Sequence, residues 1–144
     1  MDKALNYMAL ARKAGRIELG EEPVGGAARA GKACLVVVSA DAGDHTWRRA
    51  KSFVAGTSQM AVKIPFSKDD VGMAIGRTSL AIAAFTDPAM ALAFLKALPQ
   101  QEKYSEELQA LEIRTQRVRQ RQQEAKAHDK NKRMGKAAAG VKKR

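Results

Sequence analysis

A chain of 144 residues is enough for one ordinary domain, and an apolar content of 45% allows that domain a buried core. Its 26 Lys and Arg outnumber its 15 Asp and Glu, which gives a formal net charge of +11. This excess favours a polyanionic partner, because each phosphate that a protein neutralises releases condensed counterions. Composition alone leaves RNA, DNA and an anionic membrane surface open.

The apolar segments argue against a membrane partner. The longest runs, near residues 34–38 and 80–85, are far shorter than a bilayer span. The N-terminal segment carries charges throughout and has no apolar stretch of signal-peptide length, so we expect a cytoplasmic location. Cys34 is the one cysteine and opens an apolar run, which predicts a small buried residue without a disulfide.

The first predicted elements alternate between helical and strand periods. Residues 4–11 have apolar positions at helical spacing, and Gly15 offers a stop. Residues 16–19 predict a short strand. A second helix is predicted over 21–31, because its two acidic residues and a proline suit the first turn of a helix. The β-branched run at 34–38 predicts a strand buried on both faces.

The same alternation continues to the end of the first hundred residues. Asp44 is predicted to cap a third helix that reaches about residue 55. Predicted strands at 60–64 and 80–85 are each followed by a helix, capped by Ser67 and by Asp87 respectively. Helices that alternate with short apolar strands indicate an α/β fold, a three-layer α-β-α sandwich with a sheet of about four strands.

The chain is predicted to have two unlike parts, an α/β domain over 1–98 and a basic tail over 99–144. Five apolar or small residues in the tail recur at heptad spacing for about two repeats, which favours a helix docked on the domain over a coiled coil: Tyr104, Leu108, Leu111, Thr115 and Val118. The tail is predicted to be helical to about 125 and disordered beyond it. Residues 113–144 hold twelve basic and two acidic residues, which favours contact with a polyanion through Arg114, Arg117, Arg119, Arg121, Lys130, Lys132 and Arg133.

The sequence offers few groups for catalysis. Its two histidines, His45 and His128, lie in different parts of the chain, and it contains neither an HExxH nor a CxxC motif. The glycines at 20–26 match neither a phosphate-binding loop nor a dinucleotide fingerprint. Asp69 and Asp70 fit the solvated first turn of a helix better than a carboxylate pair. We therefore expect no enzyme, no metal, no cofactor and no small-molecule substrate.

Several segments, taken in order, resemble the ribosomal family that binds kink-turns in RNA (the L-seven-Ae and L-thirty-e superfamily), and a bacterial YlxQ-type member in particular. The segments are ALARKAGR at 9–16, GEE at 20–22, RAGKA at 29–33, LVVVSADA at 35–42, Thr46 with Arg48 and Arg49, VGMAIGR at 71–77, and AFTD at 84–87. The resemblance does not extend beyond Pro99.

The resemblance implies a binding site made of two loops. In that family, the turn from the first strand into the second helix enters the RNA at the kink, near tandem sheared G·A pairs, and a loop before the last strand packs against an extruded base. A helix N-terminus suits the first task, because it exposes free N–H donors and a positive dipole end. The residues implicated here are Lys13, Arg16, Gly20, Glu21, Glu22, Gly26, Lys32, Arg77, Thr78 and Ser79.

Two departures from the family pattern keep a second hypothesis open. Gly26 stands where the family usually has a lysine, and Glu22-Pro23 stands where many archaeal members have Asn-Glu. The leading hypothesis is non-catalytic binding of structured RNA, either ribosomal RNA, which would make the ribosome a partner, or another kink-turn RNA. The rival is a ribosome-associated protein-interaction module whose RNA site has decayed. Sequence-specific DNA binding has no helix-turn-helix or zinc motif to support it.

One structural feature would discriminate between these hypotheses. RNA binding requires cations close to the turn at Gly20. It is therefore favoured if Lys13, Arg16, Lys32 and Arg77 converge there.

Overall fold

The computed structural model describes the backbone of residues 2–142 and the side chains of residues 2–131. The strands are β1 (Ile17–Leu19), β2 (Leu35–Val38), β3 (Met60–Lys63) and β4 (Ile82–Phe85). The helices are α1 (Lys3–Lys13), α2 (Glu21–Arg29), α3 (Asp44–Val54), α4 (Lys68–Ala74), α5 (Pro88–Lys96) and α6 (Ser105–Lys142), with a 3-10 turn at Gln101–Tyr104.

The four strands form one mixed sheet in the order β1-β4-β2-β3. The central strand β4 is antiparallel to both β1 and β2, whereas β2 and β3 are parallel. Consequently β1, β2 and β3 all end at the edge of the sheet where β4 begins. The loops that follow these three strands therefore meet the loop that precedes β4.

Helices cover both faces of the sheet, which confirms the predicted three-layer α-β-α sandwich. Alternate residues of the strands point to opposite faces. Val37 and Phe85 join a core with α1, α4 and α5. Val36 and Ala84 join a second, smaller core with α2 and α3.

The helix caps agree with the sequence prediction at two of three positions. The Ser67 side chain accepts a hydrogen bond from the Asp70 N–H at 3.1 Å, and that of Asp87 accepts from the Met90 N–H at 3.0 Å. Asp44 is instead the first residue of α3, and the N-cap position is Gly43. The Asp44 carboxylate still lies at the positive end of the helix, where negative charge is favoured.

The compact unit built on this sheet extends past the predicted boundary at residue 98. One unit covers Met1–Glu112 and a second covers Ile113–Arg144. Tyr104 and Leu111 are buried in the larger core, and Leu108 packs against it. The first part of the heptad stripe thus contributes apolar side chains to the domain, as a docked helix would.

Helix α6 is longer than predicted. Its backbone stays helical through Lys142, whereas the sequence prediction expected disorder after about residue 125. The prediction was based on the polar and basic residues from Lys126 onward and on Gly135 and Gly140, a composition that disfavours tertiary packing but does not remove intrinsic helix propensity. The segment is rich in Lys and Ala, and these residues favour helix through their intrinsic propensity.

Candidate nucleic-acid interface

The turn at Gly20 joins β1 to α2 and is fixed to the neighbouring strand. Gly20 has φ +96°, a backbone conformation that L side chains rarely adopt. Its N–H donates to the carbonyl of Ile82 at 3.0 Å, at the start of β4. The turn is therefore held to the sheet by its own backbone.

The N-terminus of α2 leaves two backbone donors free for a ligand. The Val24 N–H already bonds the Gly20 carbonyl at 3.0 Å, Pro23 has no N–H, and Gly20 has no side chain with which to cap the helix. The N–H groups of Glu21 and Glu22 therefore have no acceptor within the helix. Such donors, at the positive end of a helix, can bind an anion or an electronegative base edge.

The loop at residues 77–79 is packed tightly onto α4. The Arg77 N–H donates to the Gly72 carbonyl at 2.8 Å. A methyl group on Gly72 would lie 2.5 Å from the Ser79 Cα and 2.7 Å from its nitrogen, so only glycine permits this approach. Arg77, Thr78 and Ser79 are nevertheless exposed. The loop thus has a fixed backbone and free side chains.

The sheet brings the Gly20 turn and the 77–79 loop to the same end of the molecule. Strands β1 and β4 are antiparallel, with Leu19 opposite Ala83. The turn that follows β1 therefore lies beside the chain that enters β4. These are the two loops that the family resemblance implicates in RNA binding.

Three of the four predicted cations lie at the other end of the sheet. The Arg16 carbonyl accepts from the Thr86 N–H at 2.9 Å, beyond the end of β4, and Lys32 precedes β2 at that same end. Lys13 is the last residue of α1 and lies just before this edge. Strand β1 separates Arg16 from Gly20 by about 13 Å of extended chain. Arg77 alone of the four lies at the Gly20 end.

A different arginine accompanies Arg77. The Nη1 atom of Arg12 lies 3.3 Å from the position that a methyl group on Gly76 would occupy. Gly76 immediately precedes Arg77, so the Arg12 guanidinium lies against the start of the loop that carries Arg77. The sequence places Arg12 on the exposed face of α1, but no spacing rule shows that this part of the helix lies against the loop after α4.

Arg49 of α3 neutralises one of the two carboxylates at the Gly20 turn. Its Nε donates to Oε1 of Glu21 in an ion pair whose side chains are both about half exposed. The guanidinium carbon lies 5.3 Å from the centroid of the Phe53 ring. Glu21 therefore repels an incoming phosphate less than the sequence alone suggests, whereas Glu22 stays exposed without an ion pair among the described residues.

The two adjacent glycines of α2 have different surroundings. A methyl group on Gly25 would lie 3.1 Å from two carbons of the Phe53 ring, so this glycine lets α3 approach α2 closely. A methyl group on Gly26 would meet nothing within 4 Å. Gly26 is therefore not required by packing, and the lysine usual in the family would fit at this position.

The basic side chains of the tail lie along α6. Arg117, Arg119, Arg121 and Lys130 are exposed, and Arg114 is partly exposed. Lys132 and Arg133 belong to the helical backbone, but their side chains lie outside the described residues. A helix that carries exposed guanidinium groups on several faces can contact phosphates without a defined register.

Metal-binding and membrane-spanning features are missing from the described part of the chain. Within residues 2–131, no three His, Cys, Asp or Glu side chains lie close enough to hold a metal ion. Cys34 is buried, as predicted from its place in an apolar run. No helix in the described residues is long and apolar enough to cross a membrane.

Solved structures of other proteins share this three-layer fold. No family model matches the chain, and no curated protein matches it. A protein of unknown function from Bacillus halodurans is similar in structure, with a TM-score of 0.62 and 25% identity over 67% of this chain and 97% of that one. The 15.5 kD RNA-binding protein of Giardia lamblia has a TM-score of 0.56 and 20% identity, over 70% of this chain and 86% of that one. At that identity the second likeness is one of fold.

Proposed function

We propose that this protein binds structured RNA without catalysing a reaction, as a YlxQ-type member of the kink-turn-binding family. The proposal is supported by the ordered sequence segments that resemble that family and by a fold shared with an RNA-binding protein of Giardia lamblia. The excess of positive charge supports the same class of ligand.

The observation that carries the proposal is the convergence of two loops at one end of the sheet. The Gly20 turn offers the free N–H groups of Glu21 and Glu22, and the 77–79 loop offers exposed side chains on a fixed backbone. RNA that departs from a regular helix is recognised through such irregular surfaces, because its bases are splayed outward and its backbone is bent. Arg77 supplies positive charge in the second loop, and the Arg12 guanidinium lies against the residue that precedes it.

The RNA that suits this surface is a kink-turn, in ribosomal RNA or in another structured RNA. Two loops that lie side by side can contact the two sides of a sharp bend, whereas a straight duplex presents only one side. The exposed arginines of α6 would add affinity that does not depend on sequence. In a ribosomal setting, the ribosome would be the larger partner.

One specific observation favours a second candidate, a protein-interaction module whose RNA site has decayed. The Glu22 carboxylate is exposed and forms no ion pair among the described residues, and Gly26 carries no cation. Phosphate binding at this turn must therefore rely on Arg77 of the neighbouring loop and on the backbone. RNA affinity at that turn decides between the two functions.

The test compares a kink-turn RNA with a plain duplex of equal length, both bound by the full chain at one salt concentration. Arg77→Ala is the test variant, and Lys32→Ala is the matched control, because it removes the same charge at the opposite end of the sheet. We expect the kink-turn to bind more tightly than the duplex. Arg77→Ala should weaken kink-turn binding about tenfold, as expected when one charge-assisted hydrogen bond is removed, while Lys32→Ala changes it less than about twofold.

Two outcomes would contradict the proposal. Equal affinity for the two RNAs would show that only charge is recognised and would favour the second candidate. Equal weakening by Arg77→Ala and Lys32→Ala would show that RNA does not dock at the Gly20 end.

A further inference from the structure

A surface that is both aromatic and basic lies at the β3 edge of the sheet, opposite the β1 edge. Trp47, the one tryptophan of the chain, is half-buried in the first turn of α3. The Nζ atoms of Lys51 and Lys63 lie 5.5 Å and 5.7 Å from the centroid of its ring. Both distances fall within the range of a cation–π contact. Two ammonium groups therefore lie over a single aromatic ring that is partly exposed.

A groove of about 330 Å³ opens beside this tryptophan. It is lined by Trp47, by the edge strand β3 and by Tyr104, with the charged side chains of Lys103 and Glu107. Strand β3 is paired only with β2, so its outer edge is not covered by another strand. The groove is therefore open along one side and large enough for a flat ring with a charged substituent.

The charges around the groove are not balanced. Lys63 and Lys103 line the groove together with the single carboxylate of Glu107, and Lys51 adds a third ammonium group at the Trp47 ring. Within the part of the chain whose side chains are described, none of these lysines forms an ion pair. Three positive charges gathered around one negative charge repel one another, and an anion placed between them would reduce that cost.

The groove lies within reach of the Gly20 turn. Lys63 ends β3 opposite Val38, and Val38 lies opposite Ile82, so Lys63 and the Gly20 turn share one end of the sheet. Three strand spacings separate β1 from β3, which amounts to about 14 Å. A short unpaired segment that leaves an RNA bound at the Gly20 turn could span this distance.

We propose that this groove binds a nucleotide of an unpaired RNA segment. The base stacks on the indole of Trp47 and displaces an ammonium group from the ring face, and Lys51 and Lys63 then contact the adjoining phosphate. Stacking on an aromatic ring within a basic groove is how proteins hold single strands without reading their sequence. The site is separate from the two-loop surface and shares with the proposed function only the assignment of RNA as the polyanion.

The experiment uses the intrinsic fluorescence of Trp47, which is the only indole in the chain. The full-length protein is titrated with hexauridylate, a single strand that forms no stable secondary structure. We expect saturable quenching, because a stacked base changes the environment of the indole. The double variant Lys51→Ala/Lys63→Ala should weaken this binding about tenfold or more and reduce the salt slope by roughly 0.7 for each phosphate that is no longer neutralised. Both side chains are exposed, so the variant should remain folded.

The matched control is Lys13→Ala/Lys32→Ala, which removes the same charge at the other end of the sheet. It should leave the quenching curve within about twofold of the parent chain. The proposal is overturned if both double variants weaken binding equally, if polyglutamate quenches as strongly as the oligonucleotide, or if hexauridylate causes no quenching.

Kink-turn binding by the same variants separates the two proposals. Lys51→Ala/Lys63→Ala should leave affinity for a compact kink-turn without unpaired ends within about twofold. A chain that fails to prefer a kink-turn but still shows lysine-dependent quenching would contradict only the proposed function. The reverse result would contradict only the nucleotide site.

Discussion

At the scale of single residues, the two glycines in α2 show why composition misleads. Both Gly25 and Gly26 weaken a helix by roughly 1 kcal/mol relative to alanine, so the sequence alone treats them as equal. The structure distinguishes them, because only Gly25 faces a neighbour, the ring of Phe53. That ring in turn lies under Arg49, which pairs with Glu21.

We therefore expect alanine substitutions at these neighbouring positions to differ in sign or size. Gly26→Ala should raise the free energy of unfolding by about 0.5–1 kcal/mol, since it gains helix propensity in open space. Gly25→Ala gains the same propensity but crowds Phe53, so it should be less stable than Gly26→Ala by about 1 kcal/mol or more. Urea unfolding of both variants checks this. Equal stabilities would mean that the Phe53 ring moves aside freely.

Two arginines of the candidate site could not be identified from the sequence, and the physical reason is the same for both. Arg12 and Arg49 both lie in segments that resemble the RNA-binding family, yet the sequence does not mark either of them as a site residue. Their relevance depends on which neighbouring element their long side chains reach, and that is set by tertiary packing. Local periodicity predicts the exposed face of a helix but not what lies opposite it.

Among the helices and strands, the sequence predicts those features that depend on residues close together in the chain. All four strands and the five helices of the domain lie where the apolar period predicts them, since this period depends on neighbours within a few residues. The two binding loops were predicted only through the family resemblance, because the strand order β1-β4-β2-β3 that brings them together cannot be read from periodicity. Arg16 and Lys32 show the same limit. They were expected beside the Gly20 turn, but the direction of the strands places them at the other end of the sheet.

Tyr104 joins the 3-10 turn to the edge strand. Its hydroxyl donates to the Lys63 carbonyl at 3.0 Å. Burial of the ring, and next the negative charge of Glu107, raise the pKa of this phenol above its ordinary value of 10.0. The protonated form is the one that makes the hydrogen bond, so folding and protonation of Tyr104 favour each other.

The contribution of Tyr104 to stability should therefore disappear at high pH. Above pH 10.0 the unfolded chain loses this proton before the folded chain does, so the stability that Tyr104 confers is complete below that pH and declines above it. Tyr104→Phe should lower the free energy of unfolding by about 1 kcal/mol at neutral pH, and the difference from the parent chain should shrink as the pH rises beyond 10.0. Unfolding curves of the two chains at several pH values measure this.

A spectroscopic control is possible because the chain has two tyrosines. Tyr7→Phe leaves Tyr104 as the only phenol, and tyrosinate absorbance then follows its titration directly. A midpoint at or below the ordinary phenol value would contradict the raised pKa.

At the scale of the whole molecule, the net charge is divided unevenly between the two compact units. Residues 113–144 hold twelve basic and two acidic residues, a net +10 out of the total of +11. The unit Met1–Glu112 is thus nearly neutral. The basic side chains of this unit affect the binding of a polyanion through their positions. Those of the tail affect it through their combined charge.

Removal of residues 113–144 should accordingly separate the two contributions to the proposed RNA binding. The truncated chain keeps Tyr104 and Leu111, so thermal unfolding should remain cooperative. Affinity should fall for all RNAs, and the slope of log K against log salt should flatten by about 0.7–0.9 for each phosphate that the tail would otherwise neutralise. The ratio of kink-turn to duplex affinity should be retained. An unchanged salt slope would show that the tail does not bind RNA.

The same division of charge affects the kinetics of binding to a polyanion. A field of ten positive charges accelerates diffusional encounter with any polyanion, and such steering weakens as salt is added. The rate of escape depends instead on close contacts, which a nearly neutral domain can make only where its loops fit. The tail would therefore set how often an RNA is met, and the Gly20 end of the sheet would set how long it is held.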